Sequence, residues 1–418
     1  AIVPDREALV FEDRRTTFGT LHDRVSRLAE GIARLGVAPG DRVAILQVNT
    51  DQYIETYFAT AMLDAVFVPM NFRSRADELT YMLNDSTPKV LFAGTRYADL
   101  VRSFSRDLTS VKHFVAMDGE VDGWLGYDDL VNVQANAERY PTAEDQDLTV
   151  LMFTSGTTGS PKGVMLSHDS FSSYIMNAVT TADPDEEERN ILTVPLYHIA
   201  GMQAVLAAIY GGRTLVIQRQ FDPKDWMNLV EQERVDRAMM VPTMLKGLMD
   251  DVEFHDHDLS SLKVITYGAA PMPLDVIKRA IREFPEARFI NAFGQTETAA
   301  TITMLPPEDH VLTGTPEQNE IKLRRLSSIG KPLEDVEVRI VGEDGGPVKL
   351  GDVGEIVARG DRLMKGYWNL DEATAETIRG GWLYTGDLGY MDDDGYIFLS
   401  GRAKDFIKRA GEMISPEE

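Results

Sequence analysis

The sequence predicts an α/β protein in which helices flank a mostly parallel sheet, followed by a smaller antiparallel module. Two observations lead to this prediction. Short apolar segments typical of strands alternate with segments of helical periodicity up to about Gly330. Beyond that point, short strand-like segments punctuated by glycine and aspartate replace the alternation, which is typical of antiparallel structure.

The first third of the chain opens with a clear helical pattern. Residues 17–36 carry apolar side chains at helical spacing and end at Gly36, which predicts one helix over this range. Strand-like and helical segments then alternate, as expected for a parallel sheet with helices on its faces. In chain order they are the strand DRVAILQV, the helix YIETYFATAMLDA, and the strands VFVPM, KVLFAG and HFVAM.

The middle and last thirds continue this alternation and then depart from it. The middle strands are LTVLMFTSG, RNILTVPL, RTLVIQ, DRAMMVP, KVITYGAA and ARFINAFG, with helices at SFSSYIMNAV and MQAVLAAIYGG. The antiparallel segments are EVRIVGEDGGPV, GEIVARG and GYIFLSG. Two polar stretches, DPDEEERN and PPEDHVLTGTPEQNEIKLRR, are predicted to be exposed loops.

Composition excludes several classes of function. The 418 residues contain 42 basic and 67 acidic side chains, a formal charge of −25, which makes a nucleic-acid-binding protein a poor interpretation. There is no cysteine, so disulfides, thiolate metal sites and a cysteine nucleophile are excluded. No apolar run is long enough for a membrane span, and the first residues do not resemble a signal peptide. We therefore expect a cytoplasmic protein.

One segment, TSGTTGSPKG at Thr154–Gly163, has the composition of a phosphate-binding loop. It is not a Walker loop, because Pro161 precedes Lys162 and a glycine follows it. Its glycines let backbone amides approach an anion, its hydroxyls can donate to phosphate oxygens, and its lysine supplies a positive charge. A flexible surface connector is the alternative. The strand that leads into it favours a site, since sites in α/β folds lie beyond the carboxyl ends of strands.

The segment TSGTTGSPKGV is similar to the signature of the adenylate-forming superfamily, which contains acyl-CoA synthetases, luciferases and the adenylation domains of peptide synthetases. Four later segments resemble further motifs of this family in the same order: YGAAPMP, NAFGQTET, YTGDLG and GRAKDFIKRAGE. The resemblance covers essentially the whole chain. It implies that a carboxylate attacks the α-phosphorus of ATP to form an acyl-adenylate and pyrophosphate, and that a thiol, usually that of coenzyme A, then releases AMP. Neither step needs a protein nucleophile.

The resemblance implies roles for residues around the nucleotide. Glu297 would contact Mg²⁺, Thr296 the α-phosphate, Asp387 the ribose hydroxyls, and Arg402 the ribose or a phosphate. Without the resemblance, Glu297 would be interpreted as a solvated loop carboxylate and Asp387 as a turn residue. Both alternatives stay open. The implied catalytic residues are Thr154, Lys162, His198, Thr296 and Glu297. The implied nucleotide-binding residues also include Ser155, Gly156, Thr157, Thr158, Gly268, Ala269, Ala270, Asn291, Ala292, Phe293 and Gly294.

The acid-binding region is expected around PLYHIAG at Pro195–Gly201. His198 resembles the family residue that closes over the acyl carbon, although a lone histidine is more often structural. Amino-acid-activating relatives place an aspartate in this region, and here no acidic residue is present, so an apolar acid (fatty, alicyclic or aromatic) is predicted. The predicted pocket residues are Tyr174, Tyr197, His198, Met202, Gly268 and Ala292.

The resemblance also implies a domain organisation. Two stacked, mostly parallel sheets flanked by helices would occupy about 1–150 and 151–329, and a smaller antiparallel, β-barrel-like subdomain 330–400. Residues 402–418 would form a hinge at Lys404 or Asp405 and the start of a truncated C-terminal domain, whose lysine serves adenylation in the family.

The predicted partners are ATP, Mg²⁺, a small carboxylic acid and coenzyme A, with a homodimer as the default assembly. Two alternatives remain. The chain could load a carrier protein instead of coenzyme A, or it could bind an adenylate without catalysis.

Overall fold

The computed structural model describes residues 2–134, 140–154 and 160–402, together with the backbone of 407–409 and 412–414. The helices are α1 Phe18–Arg34, α2 Asp51–Ala61, α3 Ala76–Ser86, α4 Ala98–Phe104, α5 Tyr127–Val131, α6 His168–Ala178, α7 Ile199–Tyr210, α8 Pro223–Glu233, α9 Pro242–Met249, α10 Leu274–Glu283, α11 Pro316–Arg325 and α12 Asp371–Thr377.

The strands share three larger sheets and one hairpin. They are β1 Glu7–Phe11, β2 Arg14–Thr17, β3 Arg42–Leu46, β4 Val66–Pro69, β5 Val90–Ala93, β6 His113–Ala116, β7 Leu125–Gly126, β8 Leu148–Thr154, β9 Lys162–Ser167, β10 Arg189–Leu192, β11 Thr214–Ile217, β12 Arg237–Met240, β13 Val264–Gly268, β14 Arg288–Gln295, β15 Ala300–Leu305, β16 Lys331–Pro332, β17 Glu337–Val341, β18 Gly354–Arg359, β19 Gly366–Tyr367, β20 Ile378–Arg379, β21 Trp382–Met391, β22 Ile397–Arg402, β23 Ile407–Arg409 and β24 Glu412–Ile414.

Two of the sheets are mostly parallel. The nine-stranded sheet has the order β16-β15-β14-β13-β12-β10-β11-β1-β2, and its strands from β14 to β1 pair in parallel. The eight-stranded sheet has the order β19-β9-β8-β4-β3-β5-β6-β7, and its strands from β8 to β7 pair in parallel. Strand order differs from chain order in both, so residues distant in sequence meet at the sheet edges.

The two sheets share a central core. Leu9 of β1 and Ile45 of β3 are both buried in one cluster that also contains residues of α1, α2, α6 and α7. Their neighbours Val10 and Leu46 belong to the outer cores under α8–α10 and under α3 and α4, respectively. Because successive strand residues point to opposite faces, this alternation defines helix, sheet, helix, sheet and helix layers. The predicted stacking of two mostly parallel sheets is confirmed.

The predicted antiparallel module is also confirmed. Strands β17, β18, β21 and β20 pair in that order, and β22 adds to β21, all antiparallel. Strand β19 leaves this module and pairs with β9 of the eight-stranded sheet, which ties the two parts together. No helix in the described part of the chain has the length and apolar character needed to cross a membrane.

Several elements follow from local capping chemistry. The predicted first helix is observed as α1, whose N-cap Thr17 accepts a hydrogen bond from the Thr20 amide. Helix α2 carries Glu55, whose carboxylate is buried between Arg24, at 2.5 Å, and the Tyr127 hydroxyl, which donates to it at 2.7 Å. This buried carboxylate is therefore both paired and hydrogen-bonded, as burial of a charge requires.

One loop prediction is wrong in part. Within the polar stretch from Pro306 to Arg325, the structure forms α11, which begins at Pro316 after an N-cap Thr315. Thr315 and Gln318 exchange hydrogen bonds in a capping box. The helix contains no buried residue, and Ile321 is 52% exposed. The segment therefore shows little apolar periodicity, and its capping residues were the informative signal. The other predicted loop is exposed over 183–187.

Candidate functional site

A cleft of about 1070 Å³ opens at the carboxyl ends of the nine-stranded sheet. Residues that follow four adjacent parallel strands, directly or one residue later, line it: Thr193–Pro195 after β10, Arg219–Phe221 after β11, Val241 after β12 and Ala269 after β13. The antiparallel module closes the opposite side with residues of β18, β21 and β22. The cleft therefore lies where ligands of open α/β sheets bind.

The two ends of the glycine-rich segment frame one wall of this cleft. Thr154 closes β8 and Lys162 opens β9, and the two are paired residues of an antiparallel ladder. Both line the cleft. The predicted phosphate-binding residues between them, Ser155, Gly156, Thr157 and Thr158, lie outside the described residues, so their role stays a prediction.

Glu297 lies in a short 3₁₀ turn, Thr296–Thr298, immediately after β14. Thr298 fixes this turn, because its hydroxyl accepts a hydrogen bond from the Gln295 amide and lies 2.7 Å from the Ala300 carbonyl. Ala299 and Ala300 have φ values of 49° and 108°, so the chain turns sharply after the acidic residue. Thr296 and Glu297 consequently both line the cleft.

Tyr367 joins the two charged groups of this wall. Its hydroxyl donates to Glu297 Oε1 at 3.0 Å, and the Lys162 Nζ atom lies 4.8 Å from the centre of its ring. Burial, and then the charge of Glu297, raise the pKa of Tyr367 far above its usual value, so the hydroxyl remains a donor. The backbone amide of Met364 also donates to the Glu297 carbonyl at 2.9 Å.

Asp387 and Arg402 form a pair beside the cleft. Arg402 Nε donates to Asp387 Oδ1 at 3.1 Å, from adjacent strands β22 and β21. Burial raises the pKa of Asp387, and the neighbouring Arg402 charge opposes this rise. Arg402 and Gly386 line the cleft, and Asp387 lies directly behind them with 7% of its surface exposed.

His198 also lines the cleft. It is the N-cap residue of α7, and its imidazole is open to the cleft. The surrounding protein atoms and then the charge of Arg73 lower the pKa of His198 to about 4, so the imidazole is neutral at pH 7. Its ring contacts Tyr197, which packs edge-on against Phe72.

Two glycines bring backbone segments into close contact beside the cleft. A Cβ at Gly268 would lie 2.1 Å from the Ala292 carbonyl oxygen, and one at Gly294 would lie 1.6 Å from that of Ala300. Ala269, which follows β13, has a left-handed φ of 63°. Closely spaced main chain therefore runs beside the cleft, and Ala269 and Gly294 line it, which suits the approach of a flat ligand.

The structure brings together eight of the predicted site residues in the lining of the cleft. They are Thr154, Lys162, His198, Ala269, Gly294, Thr296, Glu297 and Arg402.

Other predicted residues lie outside the cleft lining. Met202 is 1% exposed and packs in the central core, and Phe293 packs against the same core. The Asn291 side chain donates to the Ser328 carbonyl at 3.2 Å. Tyr174 has the buried guanidinium of Arg362 over its ring. The remaining residues of this group are Tyr197, Gly268, Ala270, Ala292 and Asp387. The predicted hinge residues Lys404 and Asp405 lie outside the described residues.

Sequence reasoning missed several cleft residues. Tyr367 contacts Glu297 across 70 positions of sequence, so no local spacing connects them. Other missed residues include Phe72, Arg73, Arg219, Phe221, Met244 and Arg379. The ends of the predicted strands could have indicated three of them. Arg219, Phe221 and Met244 follow segments that the sequence predicts as strands.

Comparison with known proteins gives a consistent result. Residues 1–368 match the family described as AMP-binding enzyme. A feruloyl-CoA synthase of an Amycolatopsis species is 37% identical over 403 residues, which is 96% of this chain and 76% of that protein. An indoleacetate–CoA ligase of Aromatoleum aromaticum is 33% identical over 99% of this chain and 79% of its own length. A fatty acid–[acyl-carrier-protein] ligase of Streptomyces coeruleorubidus is 30% identical over 99% of this chain and 78% of its own length.

Solved structures agree with these relatives. A structure described as a putative long-chain-fatty-acid CoA ligase from Rhodopseudomonas palustris superposes with a TM-score of 0.82 at 33% identity, covering 96% of this chain and 95% of that one. The o-succinylbenzoate CoA synthetase of Bacillus subtilis, in complex with its acyl-adenylate intermediate, gives a TM-score of 0.83 at 28% identity over 99% of this chain and 79% of that one.

Proposed function

Because the chain belongs to the AMP-binding enzyme family, we propose that it activates an apolar carboxylic acid with ATP and transfers the acyl group to coenzyme A. The chain is an enzyme of the acid–thiol ligase class. The apolar character of its acid is what we propose. The observation that carries the proposal is the convergence of Lys162, Thr296, Glu297 and Arg402 on one cleft from three separate segments.

The first step needs two anions to be aligned and the charge at phosphorus to be neutralised. Lys162 and Thr154 would hold the phosphates that leave as pyrophosphate, and Thr296 would hydrogen-bond to the α-phosphate. Asp387 and Arg402 would bind the ribose. A carboxylate oxygen of the acid then forms a bond to the α-phosphorus as the bond to the β-phosphate oxygen breaks.

Glu297 fits the requirements of Mg²⁺ binding. Mg²⁺ takes one or two carboxylates and completes its shell with phosphate oxygens and water. The described part of the chain contains no group of three or more acidic or histidine side chains placed to hold a metal, so nucleotide phosphates would have to supply further ligands. The ion would neutralise charge on the phosphates, and Glu297 would orient it toward the α-phosphate.

The second step requires the thiol of coenzyme A to attack the acyl carbon and expel AMP. His198 would close over the acyl carbon, and its low pKa makes it a neutral lid at pH 7 and not a cationic group. The apolar and aromatic neighbours of this region, among them Ile199, Phe221 and Met244, support an apolar acid. The relatives named above act on feruloyl, indoleacetate and fatty acid substrates, which agrees with this class.

A carrier protein is the second candidate acceptor. The relative from Streptomyces coeruleorubidus is named as a ligase for acyl-carrier protein, and the adenylation step is shared by both kinds of enzyme. The other alternative from the sequence, a non-catalytic adenylate-binding protein, is not supported, because the chain belongs to a family of enzymes. A cytoplasmic location, a homodimer, the subdomain boundaries at about 150 and 330 and the hinge at Lys404 or Asp405 stay predictions.

The test is a panel of fatty, alicyclic and aromatic acids incubated with ATP and Mg²⁺ and the full-length protein. We expect acid-dependent pyrophosphate release with at least one apolar acid, and AMP release that coenzyme A accelerates. Thioester formed on a carrier protein but not on coenzyme A would favour the second candidate. Pyrophosphate release with none of these acids would contradict the proposal that the acid is apolar.

A matched pair of variants links this activity to the cleft. Glu297→Gln removes the carboxylate charge at nearly constant volume, and we expect about a hundredfold slower pyrophosphate release. Glu320→Gln makes the same change at an exposed position of α11 that does not line the cleft, and it should behave as wild type. Equal rates for both variants would mean that Glu297 has no role in adenylation.

A further inference from the structure

Resting on the proposed function, we propose that Tyr367 is a positioning residue that holds the Glu297 carboxylate for Mg²⁺ and the Lys162 ammonium for phosphate in one fixed arrangement. Tyr367 lies outside the five sequence segments on which the family resemblance was based. The inference comes from its place between two cleft groups of opposite charge, both of which it contacts.

The contact with Glu297 restricts the carboxylate. A carboxylate only accepts hydrogen bonds, so the Tyr367 hydroxyl is the donor in the 3.0 Å contact with Oε1. This bond limits rotation of the carboxylate group and uses one acceptor position of Oε1. Oε2, to which Tyr367 does not donate, would remain available to a cation.

The contact with Lys162 places the positive charge. The Nζ atom lies 4.8 Å from the centre of the Tyr367 ring, within the range of a cation–π interaction. Such a contact restrains a long, flexible side chain without neutralising its charge. Lys162 therefore keeps its full charge for a phosphate while its position is restricted.

The backbone around Tyr367 makes this arrangement rigid. Tyr367 pairs with Val164 of β9, close to Lys162, and the Trp368 amide donates to the Gly163 carbonyl at 2.7 Å. On the other side, the Met364 amide donates to the Glu297 carbonyl at 2.9 Å. The tyrosine is thus fastened by main-chain hydrogen bonds to both segments whose side chains it contacts.

The test measures metal binding apart from turnover. Electron paramagnetic resonance would follow free Mn²⁺ during titration of the protein bound to a non-hydrolysable ATP analogue. Tyr367→Phe keeps the ring under Lys162 and removes only the hydroxyl. We expect about tenfold weaker Mn²⁺ binding, since a hydrogen bond to a charged group is lost. No acid and no turnover are needed, so the result does not depend on whether the proposed reaction occurs.

The chain offers a matched control for this change. Tyr127 also donates its hydroxyl to a glutamate, Glu55, but in the core between α2 and α5 and outside the cleft lining. Tyr127→Phe should lower the thermal unfolding midpoint and leave Mn²⁺ binding unchanged. Weakening of Mn²⁺ binding by both variants to the same degree would show a general loss of stability and overturn the proposal.

Two further variants separate the two contacts. Tyr367→Leu removes the ring as well, and we expect an additional increase in the KM for ATP that Tyr367→Phe does not show. In a Glu297→Gln background, Tyr367→Phe should have little further effect on Mn²⁺ binding, because the tyrosine acts through that carboxylate. Mn²⁺ binding by Tyr367→Phe within twofold of wild type, or an undiminished effect in the Glu297→Gln background, would overturn the proposal.

Discussion

Replacement of Gly268 by alanine tests the close packing of the main chain beside the cleft. The added Cβ would lie 2.1 Å from the Ala292 carbonyl oxygen, whereas 3.0 Å is the shortest distance that real Cβ atoms reach. Strands β13 and β14 would therefore have to separate by about 0.9 Å at a buried position where they pair in parallel. Ala269 directly follows Gly268, and Gly294 lies two residues beyond Ala292, so both would move with the strands.

We expect two effects of Gly268→Ala. The free energy of unfolding should fall by about 1–3 kcal/mol, the usual cost of overpacking in a well-packed interior. The affinity for AMP should also fall, because the main chain that would face the base is displaced. Urea unfolding followed by tryptophan fluorescence measures the first effect, and isothermal titration with AMP measures the second.

Gly247→Ala is the control for this prediction. Gly247 lies in α9 and an added Cβ there meets no atom within 4 Å. Alanine is the better helix former, so this variant should gain about 0.5–1 kcal/mol and bind AMP as wild type does. A Gly268→Ala protein with wild-type stability and wild-type AMP affinity would refute the reasoning, since the strands would then have accommodated the clash at no cost.

Two further predictions concern His198 and Asp387. Because its surroundings and Arg73 lower the pKa of His198 to about 4, the adenylation rates of wild type and His198→Asn should show the same pH dependence between about pH 6 and pH 8. An ionisation near the ordinary histidine value that is present only in wild type would contradict this. Asp387→Asn should weaken AMP binding by about tenfold or more and leave the binding of 2′,3′-dideoxy-AMP unchanged. Equal losses for both nucleotides would mean that Asp387 does not recognise the ribose hydroxyls.

The fold was predictable largely because its signals are local. Short apolar strands, the capped helix α1 and the change of pattern near Gly330 each depend on neighbouring residues. The helix α11 was missed because it buries no side chain and so leaves little apolar periodicity. The order of strands within the sheets is a property of tertiary packing and cannot be read from any single segment.

The candidate site was predictable only where a contiguous motif carries it. Lys162, Glu297 and Arg402 lie in such motifs and do line the cleft. Tyr367 lies outside such motifs. Its role depends on a contact with Glu297 across 70 positions, which exists only after β19 has paired with β9. Met202 was placed in the pocket by proximity in sequence, whereas helical geometry turns its side chain into the central core.

The central claim, that an acyl-adenylate is formed in this cleft, is tested most directly by an isotope. The best acid from the panel would be labelled with ¹⁸O in its carboxylate and incubated with ATP, Mg²⁺, coenzyme A and the full-length protein. If the carboxylate attacks the α-phosphorus, one labelled oxygen stays with phosphorus when the thiol attacks the acyl carbon. We predict AMP that carries one ¹⁸O atom per thioester formed. Unlabelled AMP, or label found in inorganic phosphate, would contradict the account.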